Sequence, residues 1–225
     1  NSTGHSLRSP TPSTCTLSEA GLLFGRLSPD VVLLLDGIPT VMMAPEVYGT
    51  HLPLATTANG FTIEHRAPAA PDRIWCVGAA GLQHFTWNGS DFASYSAPSQ
   101  QANWVDADGV AMASQGAGVK ALLAWKGMKV GVCRNFGSPW TTTTWFGLGE
   151  TVHKVSRIQW DGASGDEFCI RTETRLLVMS MLGQTLLNVT LGSGELMETF
   201  ELPGEGRSAV SVFSPGPAGA TQYMH

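Results

Sequence analysis

Two short acidic stretches offer the most chemistry in this sequence. In "NWVDADG" (103–109), Asp106 and Asp108 stand two residues apart. On an extended strand that spacing puts both carboxylates on one side, where a divalent cation could bridge them. In "DGASGDEF" (161–168), Asp161, Asp166 and Glu167 share a Gly/Ser loop. Asp106, Asp108, Asp161 and Asp166 are therefore the candidate metal ligands, although solvated turns between strands use the same residue types. The six histidines are scattered, with no H-E-x-x-H pair, and no phosphate-binding glycine loop follows a strand. "FGSPW" (136–140) lacks the flanking glycines of a nucleophile elbow. These patterns give no catalytic residue and imply no cofactor.

Cys15, Cys76, Cys133 and Cys169 lie far apart with no C-x-x-C pair. An even count permits two disulfides in an oxidising compartment, but buried thiols are the simpler expectation. Three N-x-S/T sequons begin at Asn1, Asn88 and Asn188; Asn88 and Asn188 are the candidate glycosylation sites. The compartment stays open, with a soluble intracellular setting slightly favoured over secretion.

Seven tryptophans are many for 225 residues. Trp87 and Trp125 each sit one residue before a turn dipeptide, which implies a shared packing role. Trp104, Trp140 and Trp160 fall in connections between β-rich units. Exposed aromatics there would anchor a protein partner, so these three are the candidate partner-binding residues.

Hydrophobic residues make up 43% of the chain and charged ones 14%, with 26 Gly and 13 Pro. That balance favours strands and turns over charged helices. The net charge of -5, with no basic run longer than a pair, argues against a nucleic-acid partner. The longest apolar run, "VVLLL" (31–35), is far too short for a membrane-spanning helix. Beginning at Asn1, the chain reads as a processed product or part of something longer.

The clearest signal is a recurring hairpin. In four stretches (22–45, 73–98, 109–133 and 167–191) a β-prone run turns, continues, and turns again on a dipeptide ending in glycine. Those dipeptides are Asp36-Gly37, Asn88-Gly89, Lys126-Gly127 and Leu182-Gly183. Glycine in second place suits the type I′ turn, whose positive φ values match strand twist. The glycines recur at spacings of 52, 38 and 56, about the 20–50-residue period of propellers and arrays. "GFTIEHR" (60–66), "TTTTWFGL" (141–148) and "ELMETFELPG" (195–204) read as fourth strands of the first, third and fourth units; the second unit's is missing or very short. The expected organisation is a flexible segment 1–19, repeats at 22–66, 73–105, 109–150 and 155–204 within a 20–205 domain, and a tail or linker at 206–225.

This pattern resembles the WD40-like β-propeller superfamily in a divergent form, in architecture only. Its Gly-His and Trp-Asp landmarks are absent, and "IQWDG" (158–162) holds Trp-Asp in a different place, so no functional residue carries over. "RNFGSPWTTTTWFG" (134–147) is faintly similar to the Asp-box turn of sialidase-type propellers but lacks its aspartate. The fold expectation is an all-β propeller, or propeller segment, of about four blades; a β-sandwich or jelly roll is the alternative. The functional expectation is a non-catalytic protein–protein interaction scaffold in a multi-subunit assembly. A secreted or surface glycan-binding glycoprotein and a self-assembling capsid-like subunit are the alternatives.

Overall fold

The computed structural model describes residues 14–24, 29–42, 51–66, 70–96, 104–116, 119–134, 143–162, 165–192, 196–202, 207–213 and 220–223. Its strands form five antiparallel sheets, each built from strands consecutive in sequence. The first holds β1 (Cys15–Gly21), β2 (Asp30–Leu35), β3 (Ile38–Met42) and β4 (His51–Pro53). The second holds β5 (Gly60–Glu64), β6 (Arg73–Gly78), β7 (Gly81–Trp87) and β8 (Phe92–Ser96). In the third are β9 (Gly109–Gly116), β10 (Val119–Lys126), β11 (Lys129–Arg134) and β12 (Thr143–Gly147). The fourth comprises β13 (Val152–Ile158), β14 (Glu167–Thr172), β15 (Arg175–Met179) and β16 (Thr185–Thr190). The fifth has three strands: β17 (Leu196–Leu202), β18 (Arg207–Phe213) and β19 (Ala220–Tyr223). The all-β, four-blade arrangement expected from the hairpins is present, with this three-stranded sheet added.

Consecutive sheets stack face to face, so the second strands are apolar on both parities. In β6, Ile74 and Cys76 pack towards the first sheet with Val32, Leu34, Phe61 and Ile63. Trp75 and Val77 point the other way, onto Val110, Leu122 and Ala124 of the third. The pattern repeats through Phe168 and Ile170 against Leu123 and Val132. It ends with Cys169 and Val178 against Val210 and Val212. Burying both faces removes the polar alternation that a one-sided sheet would show.

The hairpin glycines take the left-handed φ that their turns require: Gly37 at 77° beside Asp36 at 49°, and Gly127 at 55°. Yet the four glycines are not equivalent. Gly37 and Gly127 join second strands to third, whereas Gly89 and Gly183 join third to fourth. The equivalent second-to-third turns lie at or beside Gly37, Gly78, Gly127 and Thr174. Each of these residues gives its carbonyl to the N–H of the crossover into the next sheet, from Ala58 (2.8 Å), Asp106 (3.0 Å), Val152 (2.8 Å) and Leu191 (2.7 Å).

The unit boundaries move accordingly. Gly60–Glu64 opens the second sheet, pairing with β6, instead of ending the first. Leu196–Leu202 likewise opens the fifth. Phe92–Ser96 is the second unit's fourth strand. β18 lies within the stretch read as a tail, yet Ala209, Val210 and Val212 are buried. Strand β1 begins within the stretch read as a flexible leader.

At the opposite rim a second device recurs. Asp72 donates its N–H to Leu22 O (3.1 Å) and accepts the Leu22 N–H on Oδ2 (2.8 Å). Asp166 does the same with Ser114, at 2.7 Å and 2.5 Å. Ser208 does so with Gln159, at 2.7 Å and 3.0 Å through its hydroxyl. Between the second and third sheets, Lys120 takes the place: its ammonium reaches Glu64 Oε1 at 3.3 Å and the His65 carbonyl. Each junction thus ties the start of a second strand to the end of the preceding sheet's first strand.

Candidate functional site

The first strands β1, β5, β9 and β13, with Thr199 of β17, line a shared central cavity of about 780 Å³. That volume falls in the range of small-molecule sites. Ser18, Glu19, Thr62, Met112, Arg157 and Thr199 are among its walls. Register irregularities at Thr16 and His153 interrupt β1 and β13. Both residues line the cavity, and a bulge re-aims the side chain it carries.

Glu19 is its most perturbed group. Burial pushes its carboxyl up to about 7, against the Ile63 N–H bond, the His65 charge and the Thr62 hydroxyl, which pull it down. Its Oε2 accepts the Ile63 N–H at 3.0 Å. One sheet further on, Thr62 Oγ1 accepts the Met112 N–H at 3.1 Å. These side chains satisfy the backbone of first strands, whose inner edges have no neighbouring strand among the described residues.

Other titratable groups have similar employment. Burial would raise Asp72, but the Arg66 N–H, the His65 ring and the Leu22 N–H together hold it below the usual carboxylate range. Glu64 accepts Trp75 Nε1–H at 2.9 Å and the Lys120 ammonium. Burial raises Glu167 above its ordinary value, and its Oε2 accepts the Trp160 N–H at 2.8 Å. His84 lies between Trp75 and Tyr95, with ring centroids 4.6 and 5.0 Å away. Burial, and then the Arg73 charge, push its pKa down to about 4, so it is neutral at pH 7. Cys76, Cys133 and Cys169 are buried in different cores. Burial pushes the Cys169 thiol up to about 12 and Cys76 higher still, which leaves neither as a thiolate for nucleophilic work.

The proposed rim anchors need correction. Trp104 is fully buried; its Nε1–H meets Thr143 Oγ1 at 3.0 Å and its ring stands edge-on to Trp145. Trp160 is buried in the core between the fourth and fifth sheets. Both indoles are therefore packing residues. Trp140 lies outside the described residues.

The candidate metal ligands separate. Asp106 takes a left-handed φ of 55° in a crossover, while Asp108 Oδ2 caps the Gly127 N–H at 2.6 Å. Asp166 is occupied by Ser114 and by the Gln159 side-chain amide at 2.9 Å; Asp161 is exposed. Among the described residues no three His, Cys, Asp or Glu side chains converge. Asn88 and Asn188 are both exposed. Asn88 Oδ1 accepts the Ser90 and Asp91 N–H groups, an Asx turn. Sequence reasoning missed Glu19, Glu64 and Asp72. An acidic residue at the entry to an apolar strand, as in "PDRIWCV", was the available signal for Asp72.

No family model matches the chain, and no curated protein matches it. Solved structures do. A crystal structure of BBS1N in complex with ARL6DN, soaked with lead, superposes with a TM-score of 0.61 at 11% identity. It covers 87% of this chain and 61% of that one. A mercury-soaked crystal of the same complex gives 0.62 at 12%, covering 91% and 64%. The fold is a β-propeller. The chain spans less than two thirds of these neighbours' length, and at such identity the likeness speaks for the fold alone. No helix among the described residues is long and apolar enough to cross a membrane.

Proposed function

We propose that this propeller is a non-catalytic module that holds a protein partner. One observation carries the reading: the groups able to do chemistry are spent on structure. Asp72, Asp108 and Asp166 cap backbone N–H groups, Glu64 and Glu167 serve indole and backbone donors, and the Cys76, Cys133 and Cys169 thiols are buried. Among the exposed side chains are large apolar ones on hairpin tips and an outer strand: Leu182 at 76% exposure, Met128 at 55% and Tyr95 at 52%. Such residues anchor interfaces. The two solved neighbours, both propellers in complex with a protein, support the same use here.

The test is complex formation. Tagged protein recovered from cells should elute as a stoichiometric complex heavier than its own 23.9 kDa. Leu182→Asp or Met128→Asp should release the partner while leaving the melting temperature unchanged. A wild-type protein that stays alone, or variants that keep the partner at full affinity, would overturn the proposal.

A further inference from the structure

Each sheet has one face turned towards the sheet before it in sequence. In the second strands of sheets two to five, the residues on that face are Ile74 and Cys76, Leu122 and Ala124, Phe168 and Ile170, and Val210 and Val212. All are between 0% and 3% exposed. The first sheet breaks the rule. Its corresponding face carries Val31, Leu33 and Leu35 on β2, paired with Met42, Thr40 and Ile38 on β3. Val31 is 39% and Ile38 37% exposed; Leu33, Leu35 and Met42 are half-buried and belong to no core cluster. Only Thr40 among these six is covered. On β1 beside them, Ser18 and Ala20 are exposed too. None of these eight side chains is charged, unlike the Lys and Glu residues that ordinarily blunt a solvent-facing sheet.

We propose that this face is the seat of a further antiparallel sheet of the same polypeptide, stacked on the first sheet as the first is stacked on the second. Four established junctions of one geometry argue for a sheet as occupant. A backbone detail specifies it further. The Ile63 and Met112 N–H groups are capped by Glu19 and Thr62, each from the preceding sheet's first strand. Ala20 holds the same place in the first sheet, two residues before the clamped Leu22, as Ile63 precedes His65 and Met112 precedes Ser114. The occupant's first strand should therefore carry an acceptor side chain where Glu19 and Thr62 stand. More than a third of each BBS1N chain lies outside the part that matches this one, which leaves room for additional sheets in a propeller of this kind.

The inference rests on the fold and not on the partner-binding reading, so the two can fail separately. The test uses the polypeptide expressed from its own gene, with a photo-crosslinking phenylalanine at position 33 and, separately, a cysteine there (Leu33→Cys). Irradiation should give an intramolecular crosslink to a strand outside residues 1–225. Maleimide labelling of Leu33→Cys should be at least tenfold slower than in the isolated 225-residue chain, while Glu173→Cys, at an exposed turn position, labels equally in both. Val31→Cys repeats the measurement should Leu33→Cys perturb folding. A crosslink to residues 196–223, to a second copy or to another protein would overturn the proposal, as would equal labelling in both polypeptides.

Discussion

Replacing Glu19 with glutamine should stabilise this protein at alkaline pH and do little at acid pH. The Glu19 carboxyl is raised from 4.5 to about 7, first by burial. The unfolded chain releases this proton near 4.5, so between 4.5 and 7 the folded state holds a proton that the unfolded state has lost. Stability from this group is therefore intact below about pH 4.5 and is lost as pH rises through 7. A shift of about 2.5 units at ~1.36 kcal/mol per unit sets a ceiling of ~3.4 kcal/mol. Because the side chain is only half-buried, solvent screening reduces this to about 2 kcal/mol. Glutamine offers the same carbonyl acceptor to the Ile63 N–H and has no charge to desolvate. Urea unfolding of both proteins at pH 5 and pH 8 isolates the effect, since every other titrating group cancels between them. The variant should gain about 2 kcal/mol over wild type on going from pH 5 to pH 8, or several degrees in melting temperature. A stability gap that is the same at both pH values would refute the assignment of a buried, protonated carboxyl.

Three further outcomes follow from the same geometry. Asp166→Ala should cost about 1–3 kcal/mol in urea unfolding, because it strips the acceptor from the Ser114 N–H between the third and fourth sheets. Trp104→Ala should cost about 3–5 kcal/mol and lower the melting temperature, with partner capture following only the folded fraction, as for a core residue. His84 should titrate at about 4 by NMR, below an ordinary imidazole, because burial disfavours its cation. An imidazole titrating near 6.5 would mean that the Trp75–His84–Tyr95 row is open to water.

The strand type of most elements was legible in the chain, though β18 and β19 lie in the stretch read as a tail; the phase of the repeat was not legible. Turn dipeptides ending in glycine marked real hairpins at Gly37, Gly89, Gly127 and Gly183. The φ requirement they satisfy is the same for either kind of hairpin, so glycine could not tell a second-to-third turn from a third-to-fourth. The second sheet makes the point. Its equivalent turn is "GAAG" (78–81), which carries no Asn-Gly or Asp-Gly signal, whereas the conspicuous Asn88-Gly89 closes the following hairpin. Counting from the wrong turn moved Gly60–Glu64 and Leu196–Leu202 into the sheets before them. The tryptophans failed for another reason. A connecting segment is normally a surface feature, but Trp104, in the crossover from the second sheet to the third, and Trp160, in the β13–β14 connection, are both buried. Sequence spacing does not encode that depth.

The acidic residues lead to a more general conclusion. A stack of separate four-stranded sheets leaves one open edge per sheet at the central cavity, and unpaired backbone groups there are costly if buried. This chain answers with side chains in register: Glu19 and Thr62 reach forward to the next sheet's first strand, while Asp72, Asp166 and Ser208 reach back to the previous one. Carboxylates spaced along such a sequence resemble ligands for a cation, yet Asp72, Asp108, Asp166 and Glu167 are each placed to receive a backbone N–H. The first sheet supplies these contacts to the second through Glu19 and Leu22, while its own rearward face stays uncharged and partly bare. Nothing intrinsic to "DVVLLL" distinguishes it from "RIWCVG" or "EFCIRT", whose rearward residues are covered. The exposure of Val31 and Ile38 therefore reflects the neighbour that a sheet of this kind is built to receive.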